Sequence, residues 1–446
     1  MLRNLCHTLA AIVLLTSASS CGGSTGAKDG DAGTEVKDGG GDMVFGPGGT
    51  GVWGRGIGNP FRDGALSVAV NAVGHTYVLA SSIEEVKMEG PLIPTPVHTG
   101  VYLAKLDAKG AHLWSRYLPL TDGTVALTAE GEPVVVGGGS SAALFVAALD
   151  GVGKEKWTRS FAASSSDDMG PAVRARGVVG PTGDIGVALE LSGSMVLGGE
   201  FYGGFSGGTH TSIAAVLDPT GKPRWTHKLA SGAVRDLRVG FLPSGRLVVA
   251  GTSGNDVSVV VFTPEGATVW TRNWSGGIQA LEDMGIDGEG SLLLGQSDAP
   301  ALPTGGPDPM LTVHLLRKVS AAGVDLWSRS FDVVRLTLAV TPSTDVLVAG
   351  VFTKPVDLGA GSLVPTKTSD AFVARLGPDG LARWSRRLGF QFAWTVDGVA
   401  LGAGSVVFVG SFDRDWAFDT GTIRPTTFAG SASPPETDVF VGRLAW

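Results

Sequence analysis

The stretch DAFVARLGPDGLARWS, residues 370–385, decides the fold. An alternating run over Ala371–Leu376 meets a Gly-containing turn at Gly377–Gly380, and a second alternating run carries Trp384. That is the signature of a β-hairpin, with the last Gly of the turn at a position that wants positive φ. The phrase recurs as VYLAKLDAKGAHLWSRYL at 101–118, FVAALDGVGKEKWTRSF at 145–161 and IAAVLDPTGKPRWTHKL at 213–229. Two more copies are VVVFTPEGATVWTRNW at 259–274 and LLRKVSAAGVDLWSRSF at 315–331. Seven Gly/Trp pairs keep the same four-residue spacing: Gly49/Trp53, Gly110/Trp114, Gly153/Trp157, Gly221/Trp225, Gly266/Trp270, Gly323/Trp327 and Gly380/Trp384.

A cation follows each Trp by two residues: Arg55, Arg116, Arg159, His227, Arg272, Arg329 and Arg386. Strand periodicity puts it on the same face as the Trp. Because the pair occurs in every copy, it reads as packing between neighbouring units and not as a binding site, with Arg stacked on rings or paired to turn acids.

Two further strands precede each hairpin. In the sixth copy they are RLTLAVTP (335–342) and DVLVAGVF (345–352). Four antiparallel strands per repeat, here lettered A to D with Trp on D, describe a propeller blade. The C-terminal DVFVGRLAW (438–446) matches a strand C with no turn after it, and GTGVWGRGIG (49–58) matches a strand D with no strand C before it. The two ends are complementary halves of one hairpin. The expected fold is therefore all-β, a seven-bladed β-propeller of four-stranded antiparallel blades over residues 49–446, its ring closed by the N-terminal strand D pairing with the C-terminal strand C. Closure removes free sheet edges.

The phrases DAFVARLGPDGLARWS and AVNAVGHTYVLAS (69–81) resemble a bacterial beta-propeller repeat, across roughly residues 49–446. The Leu-Asp-x-x-Gly-x-x-x-Trp stretch is also similar to the quinoprotein-type propeller repeat. The first resemblance implies the fold and an extracytoplasmic setting, and no reaction. The second implies a quinone held near adjacent cysteines. The chain has only Cys6 and Cys21, so that pair is missing and no cofactor is expected.

Ahead of the repeats, Arg3, the short apolar run Leu9–Leu15 and small residues lead to Cys21. The run is too short to span a bilayer. This segment resembles a bacterial lipoprotein signal, departing from its pattern where Ala18 stands in place of the usual Leu. The resemblance implies a signal peptide over 1–20, lipidation of Cys21 and anchorage to a membrane of the bacterial cell envelope; the alternative is a secreted protein. Residues 21–48, rich in Gly and Asp, are expected to form a flexible tether, because they bury too little apolar surface to offset chain entropy.

The net charge of −8 carries no basic stripe, which argues against a nucleic-acid partner. His75, His98, His112, His210, His227 and His314 are scattered without zinc spacing, so no metal is expected. Gly204–Gly208 spells G-x-S-x-G, but lies in a B-to-C loop with no helix to form a nucleophile elbow. No catalytic residue is assigned.

What distinguishes the blades is their loops. B-to-C connections are long in blades one, three, five, six and seven, and loops on a rigid scaffold are where binding resides. Aromatics outside the repeat phrase there are Tyr202, Trp394 and Trp416, the last flanked by Asp413 and Asp415. An aromatic among carboxylates suits a sugar ring or a peptide. The expected role is non-catalytic binding of a protein or polysaccharide. The alternatives are a polysaccharide-directed lyase or hydrolase using those carboxylates, and a scaffold subunit of an outer-membrane assembly complex.

Overall fold

The structure is a computed structural model. It describes residues 51–58, 63–82, 100–139, 143–164, 172–203, 210–229, 234–275, 278–299, 313–341, 343–366, 368–389, 395–402, 404–413, 415–418, 421–423 and 437–445. The leader, Cys21, the tether and Trp394 lie outside them. Among the described residues there is no helix. Seven blades of four antiparallel strands form a seven-bladed propeller, the sheet of blade two being extended to six strands by a hairpin.

Blade one comprises strands A to D at Gly64–Val70, Thr76–Ser82, Gly100–Leu106 and His112–Leu118. Blade two follows at Thr124–Leu127, Pro133–Gly138, Ala143–Leu149 and Glu155–Ser164, and blade three at Ala172–Val179, Ile185–Ser192, His210–Leu217 and Pro223–Lys228. Blade four is Val234–Phe241, Leu247–Ser253, Asp256–Phe262 and Thr268–Trp274; blade five is Ile278–Ile286, Leu292–Ala299, Val313–Val319 and Asp325–Phe331. Blade six is Arg335–Val340, Val346–Phe352, Asp370–Leu376 and Ala382–Arg387.

The core is distributed over the blade interfaces. Strands B and C are buried on both faces, so successive side chains serve opposite neighbours. In blade one Val78 and Ala80 join the cluster shared with blade seven, while Tyr77 and Leu79 join the cluster shared with blade two. This is why these strands read as near-continuous apolar runs, as in DVLVAGVF, and not as strict alternation.

In six of the seven copies the Trp of the hairpin phrase packs on the turn Gly of the next blade. Trp53 packs on the C-to-D turn of blade one, where a Cβ added to Gly110 would lie 2.7 Å from the indole, and its Nε1 donates to the Ala108 carbonyl at 3.0 Å. Arg55 donates to the Gly110 carbonyl of the same turn at 3.1 Å. Trp114 and Arg116 repeat the arrangement on Gly151 and Gly153, and Trp270 and Arg272 on Ala321 and Gly323. The turn Gly is thus required twice over: Gly110 has φ +80°, and the ring occupies the space a side chain would need.

Ring closure is as expected. Strand C of blade seven, Asp438–Ala445, pairs on one side with strand B, Ser405–Phe412, and on the other with Gly51–Ile57. Strand A of this blade is Thr395–Gly402. In blade seven strands C and D come from distant parts of the chain, so no short turn joins them as in the other blades. Trp384 is buried, and its Nε1 meets no acceptor among the described residues.

Three B-to-C connections form hairpins that fold back on the barrel of blades. Ser194–Leu197 and Glu200–Gly203 extend the sheet of blade two, with Met195 opposite Ala163 of its strand D. Val356–Asp357 and Ser362–Leu363 pack between blades five and six. Trp416–Phe418 and Gly421–Ile423 pack between blades six and seven.

Candidate functional site

The A strands surround the propeller axis and enclose a cavity of about 360 Å³. Each A strand ends in a pair with the start of strand B, such as Val70 with Thr76 and Val179 with Ile185. Three residues before that end stand Ser67, Thr124, Arg176, Arg238, Asp283 and Thr337 in blades one to six; in blade seven Gly398 stands four before it, and all line the cavity. One register position is therefore polar around most of the ring, in strands whose neighbours are apolar.

Strand A is bulged in blades one, four, five and seven, at Ala65/Ser67, Arg235/Arg238, Leu281/Asp283 and Val396/Gly398. A bulge inserts an extra residue and re-aims its side chain. In blades five and seven the inserted residues are Glu282 and Asp397, carboxylates that line the cavity.

The charges pair across blade boundaries. Arg176 Nη1 lies 3.0 Å from Asp122 of blade two, Arg238 Nε 3.3 Å from Asp283 of blade five, and Arg335 Nη1 3.3 Å from Asp397 of blade seven. Asp283 also accepts from the Thr337 hydroxyl at 2.7 Å and the Leu338 N–H at 2.9 Å. Glu282 accepts from the Leu336 N–H at 3.1 Å and sits 3.0 Å from His314 Nε2. The pairs join blades two and three, four and five, six and seven. With seven blades one is left over: blade one offers Ser67, which accepts from the Val125 N–H at 3.2 Å, and an apolar wall at Ala65, Leu66 and Val68.

Burial pushes the Asp397 carboxyl above the usual aspartate range, and the Thr395 hydroxyl, Arg335 and Ser411 oppose that rise without cancelling it. The folded protein thus holds this proton at a higher pH than the unfolded chain does. The associated stability is fully present below the unfolded aspartate value of about 4 and is lost as pH rises through the raised folded value. Asp397→Asn does not titrate. Its melting temperature is expected to gain on wild type as pH rises from about 4 towards neutrality. Melting both proteins over that range checks this; a constant difference would show that Asp397 is not destabilised by ionisation.

The loop residues singled out by the sequence have different surroundings. Trp416 is 1% exposed, and its Nε1 donates to the Leu388 carbonyl at 2.7 Å. Tyr202 is 7% exposed; its hydroxyl donates to Thr226 Oγ1 at 2.6 Å, and its ring belongs to the cluster between blades two and three. Both rings are core residues of fold-back hairpins, because a short hairpin is stable only when its apolar face is covered. Asp413 is half-buried and Asp415 exposed. The G-x-S-x-G string and Trp394 lie outside the described residues. The axial ring was not foreseen. Its trace in the sequence is a charge at one register position of strand A, as in AVRARGVV and VRDLRVGF.

Among the described residues no three His, Cys, Asp or Glu side chains are grouped to hold a metal ion. No family model matches the chain, and no curated protein matches it. Among solved structures it is similar to the Dos1 propeller, at 9% identity and a TM-score of 0.43, over 88% of this chain and 95% of that one. It is similar to puromycin hydrolase at 15% identity and a TM-score of 0.47, over 79% of this chain and 51% of that chain. A protein of unknown function from Bacteroides caccae matches at 12% identity and a TM-score of 0.40, over 67% of this chain and 94% of that one. Such identities carry nothing about substrate or partner.

Proposed function

We propose that this chain is a lipoprotein of the bacterial cell envelope, anchored through Cys21, whose propeller is a scaffold for non-catalytic binding of a protein or polysaccharide. The observation that carries the binding reading is the commitment of the axial charges. Arg176, Arg238 and Arg335 each hold a carboxylate of a neighbouring blade, so these groups brace a preformed concave surface. A rigid cavity of this size, with few polar groups in fixed positions, is the usual form of a ligand site. The envelope setting is supported by the leader's resemblance to a lipoprotein signal and by the blade phrase's resemblance to a bacterial propeller repeat.

Two experiments test the proposal. Cys21→Ser is expected to abolish incorporation of labelled fatty acid and to release the protein from membranes, since stable anchoring needs more than one acyl chain and this modification supplies several. A mutant that stays membrane-bound, beside a wild type that takes up no label, would refute the anchor. Capture from solubilised membranes and on a glycan array is expected to retain a partner unchanged. Glycan cleavage abolished by Asp413→Ala or Asp415→Ala would establish an enzyme instead.

A further inference from the structure

We infer that the axial cavity is a binding site for a small hydroxylated carboxylate, a sugar acid of hexuronate size, held by Arg176 and Arg335. The inference rests on the binding reading above and gives it a ligand class.

The first observation is an asymmetry within the ion pairs. In each pair the guanidinium is more exposed than its carboxylate: 32% against 19% for Arg176 and Asp122, 27% against 20% for Arg238 and Asp283, 46% against 14% for Arg335 and Asp397. The guanidinium is the more exposed partner in every pair, although Glu282, Asp283 and Asp397 also line the cavity; Asp122, the partner of Arg176, does not. The second observation is spare capacity. Among the described residues Arg176 is engaged only through Nη1, to Asp122 and the Ala175 carbonyl, and Arg335 only through Nη1, to Asp397. Each keeps Nε and Nη2, the pair of donors that takes a carboxylate in a two-pronged contact. Arg238 is committed through Nε, Nη1 and Nη2, so it is a brace and not a recognition group.

The rest of the lining sets the remaining chemistry. Ser67 accepts a backbone N–H and retains its own proton to donate. The blade-one wall of Ala65, Leu66 and Val68 has no charge. A ligand with a carboxylate, hydroxyls and an apolar ring face matches this arrangement, and the volume of about 360 Å³ admits one sugar unit but not an extended chain. Arg335, the first residue of its strand, stands at the D-to-A end of the cavity, the end that shares a face with the B-to-C loops.

Calorimetric titration of the full chain in detergent tests the assignment, with D-glucuronate, D-glucose and inorganic phosphate as probes. The two sugars differ only at carbon six. Glucuronate is expected to saturate the site, glucose and phosphate to bind at least about tenfold more weakly, and added salt to weaken glucuronate. Arg335→Gln and Arg176→Gln are each expected to lower glucuronate affinity about ten- to hundredfold. Arg335→Lys keeps the charge without the two-pronged geometry and is expected to fall between, with melting temperatures recorded beside each titration.

Equal binding of glucose, equal binding of phosphate, or no saturation by ~10 mM glucuronate would overturn the inference. So would wild-type affinity in a folded Arg335→Gln. If glucuronate fails while a macromolecular partner is still captured, the ligand assignment falls and the scaffold reading stands. If glucuronate binds and nothing larger is captured, the assignment stands and the scaffold reading falls.

Discussion

Deleting residues 438–445 is expected to unfold the entire propeller, not to fray one end. This strand lies between Ser405–Phe412 and Gly51–Ile57, so its loss strips one partner from the first and the whole ladder from the second. Val439, Phe440, Val441 and Leu444 are fully buried, the two valines facing blade one and Phe440 and Leu444 facing blade six. At roughly 1.5–3 kcal/mol each, these four side chains contribute about 6–12 kcal/mol. Total domain stabilities are about 5–15 kcal/mol, so little would remain. Thermal unfolding of the truncated chain, followed by circular dichroism and calorimetry, checks the expectation. A cooperative transition at the wild-type temperature would refute closure of the ring by the chain ends.

Trp416→Ala is expected to cost about 3–5 kcal/mol, the amount for a core aromatic. The indole lies 5.4 Å from the Phe440 ring, 4.8 Å from Phe418 and 6.2 Å from Phe408, edge-on or tilted to each. Its N–H satisfies a carbonyl of blade six, so the variant also leaves the Leu388 oxygen without that donor. If Trp416 instead met a ligand, as an aromatic among carboxylates suggests from sequence, the same substitution would weaken binding, and the two effects are separable. Urea titration measures the stability, and retention of a captured partner measures the binding. A variant as stable as wild type would show that the hairpin contributes no core.

The contrast between these residues shows what was legible. The hairpin phrase carries its own geometry: the turn Gly, the Trp four residues on and the cation two beyond are local consequences of strand period and turn type. Six of the seven copies also grip the turn of the next blade, and that order sets the blades side by side around a ring. The complementary ends followed from the same register, DVFVGRL against GVWGRGI. Trp416 is buried against blades six and seven, and nothing in FDRDWAF, with Asp413 and Asp415 beside the ring, reveals that the segment turns back onto blade six. The axial ring was hidden for a different reason. Bulges shift the register of strand A by a residue or more in four blades, so charges that meet at the axis sit at unequal distances from the Trp phrase. Arg238 and Asp283 are 45 residues apart and become partners only when blades four and five are placed side by side.

The pairing of Gly51–Ile57 with Asp438–Ala445, strands far apart in the chain, also sets how the molecule bears load. Any tension applied through the chain preceding Gly51 enters at the outermost strand of the closing blade. Along the axis of that strand it acts parallel to the ladder from Gly51/Leu444 to Ile57/Val439, where six pairs must slip together. Hydrogen bonds resisting in shear fail collectively, whereas those peeled from one end fail in turn. The ladder between Gly51–Ile57 and Asp438–Ala445 is thus arranged to resist a pull along the strand, and would open most readily under a force directed across it.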